Sequence, residues 1–480
     1  MMSTPPQSLC LGPGPDPIEL IRRWPEHQPL AALVSARGGA QLSRWSILAA
    51  PVSTQSCQGD EANLVESLNS LGAEQTLDPV DDPEIPPFRG GRLLMLRYEL
   101  GRALEPRAGM GSAPMTGVPV AQALECPSAL AHDRVTGHWW LVGDIDDAQE
   151  LKEILDLDSV EAHESQIDPL KHLISDEQYA RLVSQTVSYI EAGDLFQANI
   201  TRRFSAQAQL ESRRSRRQLA AGLLIESGAW FGGLLELPGL HGEETIISLS
   251  PELFLQLDPV SRRIRTRPIK GTLPAGADPE DLKQSEKDAA ELAMIVDLMR
   301  NDLGRVSDPG SVRVESPRSI EQHPGVIHGV GEVSGILKDG IQMGTLLAAT
   351  FPPGSITGAP KIRAMQIIDE FENTPRGAYC GAIGYSSRCG RMALDVSIRT
   401  VELVPSNLDK KGPYSHELRY GAGCGIVAQS CPESEVDESW TKTALLARFI
   451  TEQCRSVEAD SSKNQLDDSS DSSERACASS

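Results

Sequence analysis

The side chain best suited to covalent chemistry is a lysine in the segment RPIKGT (267–272). Lys270 follows Ile269 and precedes Gly271 at the end of a predicted strand. Partial desolvation lowers the pKa of a lysine and makes its amine a nucleophile. Most lysines at strand ends are simply exposed to solvent, so the residues alone leave both interpretations open.

Acidic pairs on two predicted helices are a second candidate. Glu435, Glu438 and Lys442 are spaced i, i+3, i+7 and share one helical face, while Asp288 and Glu291 are three residues apart on another helix. Carboxylates on two rigid helices can converge on Mg²⁺, a hard cation that prefers oxygen ligands. Acids in a first helical turn also complement the helix dipole, and this simpler explanation stays open.

Glycine-rich segments offer two places where an anionic ligand could approach the backbone. GSITGAPKI (354–362) lacks the spacing of a nucleotide-binding P-loop, but it leads into a predicted helix whose free N–H groups suit a carboxylate. Gly421, Gly423 and Gly425 alternate along a predicted strand and leave one face bare. Turn capping and close sheet packing explain the same patterns. The residues alone therefore indicate an anion-binding protein without naming its reaction.

These residues must be positioned by the helices and strands that the sequence pattern indicates. Helices are predicted over EQYARLVSQTVSYIEAGD (177–194), DAAELAMIVDLMRNDLGRV (288–306), APKIRAMQIIDEF (359–371) and CPESEVDESWTKTALLARFITEQC (431–454). Predicted strands come in adjacent runs rather than in strict β-α-β alternation. This order favours an α+β fold of antiparallel sheets packed face to face, with helices on the outer faces.

Composition excludes several classes of function. The chain has 480 residues, a formal net charge of −22 and 4% aromatic residues. Such acidity disfavours nucleic acid and anionic membranes as partners. The sequence contains no run of about 18 apolar residues and no secretory signal, and its nine scattered cysteines lack a C-x-x-C pair. We therefore expect a cytoplasmic protein with reduced thiols.

Composition also suggests how the chain is divided. Pro and Gly predict a flexible N-terminus over residues 1–17, a separate lobe is expected over 18–150, and the strongest patterns fall within 168–455. Residues 456–480 are rich in Ser and acids, cannot bury enough apolar surface, and are predicted to be disordered. The basic run RRSRR (213–217) is interpreted as a solvated helix surface.

Eight ordered segments within residues 176–450 resemble the chorismate-utilising enzymes. They are AGDLFQANITRRF, SLSPELF, TRPIKGTLP, ELAMIVDLMRNDLGRV, FPPGSITGAPKIRAMQIIDE, YCGAIGY, IRT and GAGCGIVAQSCPESEVDE. FRGGRLLMLRYELGR (88–102) carries a weaker resemblance into the N-terminal lobe. The resemblance implies the α+β fold above, a chorismate-binding catalytic domain over 168–455, chorismate as substrate and Mg²⁺ as cofactor.

Two positions distinguish branches of this family. Aminodeoxychorismate synthases typically carry Lys after Pro-Ile, as at Lys270, whereas anthranilate synthases carry Ala. Isochorismate and salicylate synthases carry a Lys where this chain has Gln197, which argues against a water-activating enzyme. The resemblance implies amination of chorismate to 4-amino-4-deoxychorismate, on the route to p-aminobenzoate and folate, with Lys270 as nucleophile and Glu252 as general acid. An anthranilate synthase component and a non-catalytic scaffold are the alternatives.

The resemblance also implies which residues bind metal and substrate. Glu291 and Glu438 would hold Mg²⁺, with Glu435 and Asp288 acting through water. The residues expected to hold the two carboxylates and the ring of chorismate are Gly271, Thr272, His328, Gly358, Tyr379, Arg399, Gly423, Gly425 and Lys442.

Two partners follow from the same resemblance. Synthases of this kind receive ammonia from a glutamine amidotransferase subunit, and the sequence contains no Gly-x-Cys-x-Gly nucleophile turn, so we expect a separate amidotransferase in a heterodimer. The N-terminal region resembles a tryptophan-binding lobe, with SARGGAQLSRW (35–45) and AWF (229–231) in the matching places. The first segment departs from the usual pattern, which leaves tryptophan binding open.

Overall fold

The computed structural model describes most of the chain. The described residues are 7–36, 43–80, 82–109, 117–160, 166–210, 212–274, 276–323, 326–406 and 415–452. The segment 456–480, predicted to be disordered, lies outside them.

The described strands, in chain order, are β1 Gln7–Pro13, β2 Ala31–Val34, β3 Trp45–Ala49, β4 Ser53–Cys57, β5 Gly91–Leu96, β6 Ala121–Cys126, β7 Ser128–Asp133, β8 His138–Gly143, β9 Gln166–Ile167, β10 Lys171–His172, β11 Gln197–Gln209, β12 Phe231–Gly239, β13 Gly242–Ser250, β14 Leu253–Asp258, β15 Arg263–Arg267, β16 Ile269–Pro274, β17 Arg313–His323, β18 Val326–Ile336, β19 Gly358–Ala359, β20 Ala382–Ser387, β21 Met392–Asp395, β22 Thr400–Pro405 and β23 His416–Ile426. The helices are α1 Pro17–Arg23, α2 Leu64–Leu71, α3 Glu99–Leu104, α4 Gln149–Ile154, α5 Asp176–Glu191, α6 Arg213–Ser227, α7 Pro279–Gln284, α8 Glu286–Val306, α9 Met343–Thr350, α10 Lys361–Phe371 and α11 over 432–452.

Within the described residues the strands form two antiparallel sheets. The larger has 13 strands along the path β1-β8-β7-β3-β2-β12-β13-β22-β23-β11-β10, with β9 and β19 also paired to β11. The smaller has 10 strands along β16-β18-β15-β14-β21-β20-β5-β6-β4, with β17 paired to β18. Strands of the N-terminal region thus continue both sheets, through β2 against β12 and β5 against β20.

Apolar side chains fill three layers. One core lies between the sheets and combines residues such as Ile47 and Leu235 of the larger sheet with Leu93 and Ile383 of the smaller. A second core places α1, α6 and α11 on the outer face of the larger sheet. A third packs α2 and α8 against the smaller sheet, with α9 contacting both helices, and α10 against β11 of the larger sheet. The predicted α+β fold, with facing antiparallel sheets and outer helices, is confirmed.

Helix α8 illustrates why these segments fold locally as they do. Its apolar residues Leu292, Ile295, Met299 and Leu303 recur at helical spacing and are buried, as the sequence predicts. Ser285 caps its N-terminus by accepting a hydrogen bond from the N–H of Asp288. The carboxylate of Asp288 in turn accepts the Ser285 hydroxyl at 2.6 Å, so this acid serves the start of the helix.

Two predictions about chain organisation were wrong. Residues 7–13, expected to be flexible, form β1, because β8 offers them an unpaired sheet edge. The basic run at 213–217 is not a solvated surface either. Arg217 is fully buried, with its guanidinium paired to Glu236 at 2.8 Å, and Arg216 is 6% exposed and pairs with Glu243 at 2.6 Å. These arginines tie α6 to β12 and β13.

Candidate active site

The bare face of Gly425 allows three polar side chains from different elements to meet. Lys270 Nζ of β16 lies 2.6 Å from Glu291 Oε1 of α8, and Gln197 Nε2 of β11 donates to the same oxygen at 2.8 Å. A Cβ on Gly425 would lie 2.3 Å from Glu291 Oε1 and 2.9 Å from Lys270 Nζ. Glycine is therefore required where the two sheets and α8 converge.

Glu252 stands immediately before β14 and is 3% exposed. Burial raises the pKa of Glu252 to about 7, although the hydroxyl of Ser355, the ammonium of Lys270 and the N–H of Ile269 favour its anion. A carboxyl group with this pKa retains its proton in part at neutral pH. Glu252 can therefore act as a general acid beside Lys270.

The strand pair β16–β18 brings two more predicted residues together. Thr272 Oγ1 lies 2.9 Å from Nδ1 of His328, which is 2% exposed. Gly271 has a φ of +81°, and a Cβ there would lie 2.6 Å from a methyl carbon of Leu282. This positive φ turns the backbone directly after Lys270.

The alternating glycines of β23 could serve either close strand packing or close approach of a ligand, and the structure shows which applies to Gly423 and which to Gly425. A Cβ on Gly423 would lie 2.2 Å from the carbonyl oxygen of Ile200, so the missing side chain there permits close strand packing. Gly358 is constrained similarly by the carbonyl oxygen of Gln197, at 2.1 Å. Gly425, by contrast, faces charged groups, as a ligand-facing glycine would.

Lys442 of α11 lies at the edge of this group. Its Nζ donates to the carbonyl oxygen of Gly423 at 2.7 Å and lies 2.8 Å from Glu438 Oε1. Partial burial alone would raise the pKa of Glu438, but the ammonium groups of Lys442, Lys270 and Lys287 lower it. Glu438 is thus held as an anion among cations.

Tyr379 and Arg399 lie on the larger sheet's side of the site. Tyr379 is 4% exposed, and its ring occupies the space beside Gly421, where a Cβ would lie 2.2 Å from Tyr379 Cδ1. Arg399 is half-buried with a φ of +52°, and its carbonyl accepts the N–H of Leu249 at 3.2 Å. A non-glycine residue in the left-handed region is costly and is often retained at functional sites.

Two of the three predicted metal ligands lie close together. One carboxylate oxygen each of Glu435 and Glu438 and the sulfur of Cys424 lie within 4.8 Å of one another. Glu435 is 2% exposed, and Lys287 Nζ lies 3.6 Å from its Oε1, beyond hydrogen-bond distance. Glu291 is bound by Lys270 and Gln197 instead. The buried carboxylate of Glu435 and the half-exposed carboxylate of Glu438 supply oxygen donors of the kind that a hard divalent cation prefers.

Sequence reasoning missed a buried acid behind Glu252. Asp395 is 5% exposed, and its carboxylate accepts the hydroxyls of Ser248 at 2.7 Å and Ser397 at 2.9 Å. Burial raises the pKa of Asp395 to about 7, against the opposing effect of these bonds and the Ile383 N–H. An acidic residue in the otherwise apolar strand segment MALD was the signal that could have identified it.

A cavity of about 730 Å³ opens between the sheets, away from Lys270. Its walls include Trp45 and Trp230, and Asp395 contributes to its floor. The hydroxyls of Ser35 and Ser43 line it and have no hydrogen-bond partner among the described residues. Residues 37–42 of the predicted tryptophan-binding segment lie outside the described part of the chain.

Comparison with known proteins places this geometry in a family. The description of that family is chorismate binding enzyme, and its match covers residues 31–448, most of the chain. This chain is a member of the chorismate-binding enzymes. The match includes every residue of the site described above.

Relatives within the chorismate-binding enzymes extend over most of the chain. Aminodeoxychorismate synthase component 1 of Klebsiella aerogenes is 37% identical, over 77% of this chain and 79% of the relative. The Escherichia coli K12 protein of the same name is 35% identical over 88% and 94%. The crystal structure of anthranilate synthase component I from Streptococcus pneumoniae TIGR4 superposes with a TM-score of 0.69 at 27% identity, covering 85% of this chain and 93% of that one.

No helix in the described part of this chorismate-binding enzyme is both long and apolar enough to cross a bilayer.

Proposed function

We propose that this chain aminates chorismate to 4-amino-4-deoxychorismate through a covalent adduct on Lys270. The observation that carries the proposal is the position of the Lys270 amine, 2.6 Å from a carboxylate that can accept its proton and beside a protonatable Glu252. An alanine at this position, as in anthranilate synthases, could not form such an adduct.

The first step forms a C–N bond and breaks a C–O bond. The neutral Lys270 amine adds to ring C2, the ring double bonds shift, and the bond from C4 to its hydroxyl breaks. Glu252 supplies the proton with which that hydroxyl leaves as water. The proton that Lys270 loses passes to Glu291 Oε1, which lies within hydrogen-bond distance.

The second step reverses the rearrangement with a different nucleophile. Ammonia adds at C4 and forms an ammonium group, the double bonds shift back, and the bond between C2 and Lys270 breaks. The leaving lysine nitrogen takes back the proton that Glu291 accepted in the first step, so that both residues regain their starting state. Two steps of moderate difficulty thereby replace one direct displacement at C4.

Mg²⁺ is the proposed cofactor, since Glu435 and Glu438, with Glu291 opposite them, supply the oxygen ligands it prefers. The bound ion would neutralise a carboxylate of chorismate. The amides beside Gly271 and Gly358, together with Arg399 and Lys442, would hold the substrate's two carboxylates.

Identification of the product tests this function. Purified protein is incubated with chorismate, Mg²⁺ and ammonium, and products and intact protein are followed by mass spectrometry. We expect 4-amino-4-deoxychorismate from the wild type and none from Lys270→Ala, while Lys283→Ala, at an exposed lysine (67% exposed side chain), retains activity. Anthranilate from the wild type would refute the proposal and favour the anthranilate synthase reaction.

A separate amidotransferase subunit is the proposed source of ammonia. The component names of the relatives support a partner of this kind. We expect the purified chain to use ammonium but not glutamine, and to use glutamine after an amidotransferase subunit is added. Product from glutamine with the chain alone would contradict this partner.

Tryptophan is the proposed ligand of the cavity between the sheets. A volume of about 730 Å³ suits an amino acid of that size, and the hydroxyls of Ser35 and Ser43, which lack a hydrogen-bond partner within the described part of the chain, suit its polar end. Titration calorimetry should give a saturable heat that Trp45→Ala abolishes. No heat and no change in melting temperature with the wild type would refute it.

A further inference from the structure

The backbone of Glu252 is held by hydrogen bonds on both sides. Its N–H donates to the hydroxyl of Ser250 at 3.1 Å, and its carbonyl oxygen accepts the N–H of Val396 at 3.0 Å. Ser250 in turn donates its hydroxyl to the carbonyl oxygen of Val396 at 2.7 Å. The position of the proposed acid therefore depends on the segment that contains Val396.

Asp395, the residue before Val396, fixes this segment at the end of β21. Its Oδ1 accepts the N–H of Ile383 at 2.6 Å and the hydroxyl of Ser397 at 2.9 Å. Its Oδ2 accepts the hydroxyl of Ser248 at 2.7 Å. One buried carboxyl group thus joins β13 of the larger sheet to β20 and β21 of the smaller sheet.

The charge of Asp395 also acts on Glu252. Asp395 is the register partner of Leu253, the residue that follows Glu252. Burial raises the pKa of Glu252, and the negative charge of Asp395 acts in the same direction, whereas the ammonium of Lys270 acts against it. Lys270 is itself paired with Glu291 at 2.6 Å.

The groups that donate to the Asp395 carboxylate are uncharged, namely two hydroxyls and one main-chain N–H. The charged side chains that line the cavity beyond it are Arg44, Arg263, Arg265, Arg391, Asp82, Glu84 and Asp258. Arg44 Nη2 lies 2.7 Å from Glu84 Oε2, and Arg263 Nη2 lies 2.9 Å from Glu315 Oε1, so other acids engage these guanidinium groups. Within the described part of the chain, dipoles rather than a paired cation therefore stabilise the Asp395 carboxylate.

We propose that Asp395 is a positioning residue of the active site, which holds the backbone of Glu252 in place and by its charge helps Glu252 to keep its proton. Its effect on turnover rests on the proposed function. When Asp395 is ionised, loss of the Glu252 proton would place two negative charges in one buried region, which is unfavourable. The general acid therefore stays protonated to a higher pH than it would beside a neutral residue.

Two substitutions separate the positioning effect from the charge effect. Asparagine has the shape of a protonated aspartate, accepts the Ile383 N–H and donates to the Ser248 oxygen, but carries no charge. For Asp395→Asn we expect kcat at low pH to be retained and its decline to begin about one pH unit lower than in the wild type. Asp395→Ala removes the bonds as well and should lower kcat at every pH by up to about a hundredfold, the cost of misplacing a catalytic group by about 1 Å, with an unchanged KM for chorismate. A wild-type pH profile in Asp395→Asn overturns the proposal.

Asp302→Asn is the matched control, because Asp302 is also a buried acid, 4% exposed, but pairs with Lys361 of α10. This variant should lose stability and keep the wild-type pH dependence of kcat. An equal shift in Asp302→Asn and Asp395→Asn would contradict a specific role for Asp395.

Infrared spectroscopy follows the Glu252 proton without turnover. With ¹³C-labelled glutamate, the band of the protonated Glu252 carboxyl group is identified by its absence in Glu252→Gln. We expect its titration midpoint to fall by about one pH unit in Asp395→Asn, and an unmoved midpoint overturns the proposal even if Asp395→Ala fails to fold. If the wild type makes no product, the proposed function fails, while this band still decides whether Asp395 controls the proton of Glu252.

Discussion

Lys270 Nζ and Glu291 Oε1 form an ion pair of 2.6 Å in which both side chains are about nine-tenths buried. The pair joins the proposed nucleophile to a proposed Mg²⁺ ligand, and Gln197 fixes the same carboxylate oxygen. Because Glu291 pairs with Lys270 and is also a proposed Mg²⁺ ligand, metal binding is expected to affect the environment of the lysine amine. Mg²⁺ bound to Glu291, as proposed, would weaken the attraction between this carboxylate and the Lys270 ammonium.

Glu291→Gln should therefore impair metal use and lysine activation together. We expect turnover with ammonium to fall by at least about a hundredfold. Lys270, Glu291 and the metal are proposed to act together, so the loss of one member removes most of the benefit of the others. The Mg²⁺ concentration for half-maximal activity should also rise. Steady-state rates across a magnesium series measure both. Glu286→Gln, at an exposed acid on the same helix, is the control, and equal effects of the two changes would contradict this role.

The pH profile should report Glu252. Since its pKa is raised to about 7, the proton-donating form dominates below that pH and is lost above it. We expect kcat of the wild type to decline as pH rises through about 7, and Glu252→Gln to reduce kcat by about 10²–10⁴-fold. Rate measurements with saturating ammonia across neutral pH test this. If kcat of Glu252→Gln declined above neutral pH as it does in the wild type, Glu252 would not be the group responsible for that decline.

Gly425→Ala should abolish activity and leave the fold intact. The new Cβ would lie 2.4 Å from Gln197 Nε2 and 2.3 Å from Glu291 Oε1, so these side chains must move apart. Loss of turnover with an unchanged circular dichroism spectrum is the expected result. Gly304→Ala in α8, where a Cβ meets nothing within 4 Å, should stabilise the protein by about 0.4–1 kcal/mol and keep its activity.

Lys361 should prove important for stability. Its Nζ bonds Asp302 Oδ2 at 2.6 Å and the carbonyl oxygen of Thr350 at 2.7 Å, so it fixes the start of α10 to α8 and α9. Removing one partner of a buried pair leaves an uncompensated charge, so Lys361→Met should lower the free energy of unfolding by about 3–5 kcal/mol. Urea titration measures the loss. Asp297→Ala breaks the exposed pair with Arg300 and should cost less than about 1 kcal/mol.

Asp395 should make stability depend on pH. Its pKa rises on folding from 3.8 to about 7, so the native state keeps a proton that the unfolded chain releases. Its contribution to stability is complete below the unfolded pKa and is lost as pH rises through the folded pKa. Asp395→Asn should therefore flatten the decline in unfolding free energy between about pH 4 and about pH 7. Identical slopes for the variant and the wild type would contradict this assignment.

Local patterns in the sequence were sufficient for the helices α5, α8, α10 and α11 and for the position of Lys270. The α8 prediction over 288–306 differs from Glu286–Val306 only at its capped start, because helical spacing and capping are encoded within a few residues. Lys270 was placed at a strand end for the same reason. The predicted site residues that lie together do so because β16, β23, α8 and α11 meet at one place.

Contacts between distant segments could not be predicted in this way. The burial of Arg217 depends on Glu236 and on carbonyl oxygens of Trp24 and Gln28, from other elements. The carboxylates of Glu435 and Glu438 lie near the sulfur of Cys424 because α11 packs on β23. The residues adjacent in sequence to Arg217 and Cys424 do not determine either environment.

The continuation of both sheets by N-terminal strands has a consequence during synthesis on the ribosome. Strand β5 pairs with β20, about 290 residues downstream, so that edge of β5 lacks its partner until almost the whole chain has been made. At about 5–20 residues per second the delay is roughly 15–60 s. During this interval the apolar strand Gly91–Leu96 is exposed to other nascent chains, and yield in cells should depend on chaperones that shield such edges.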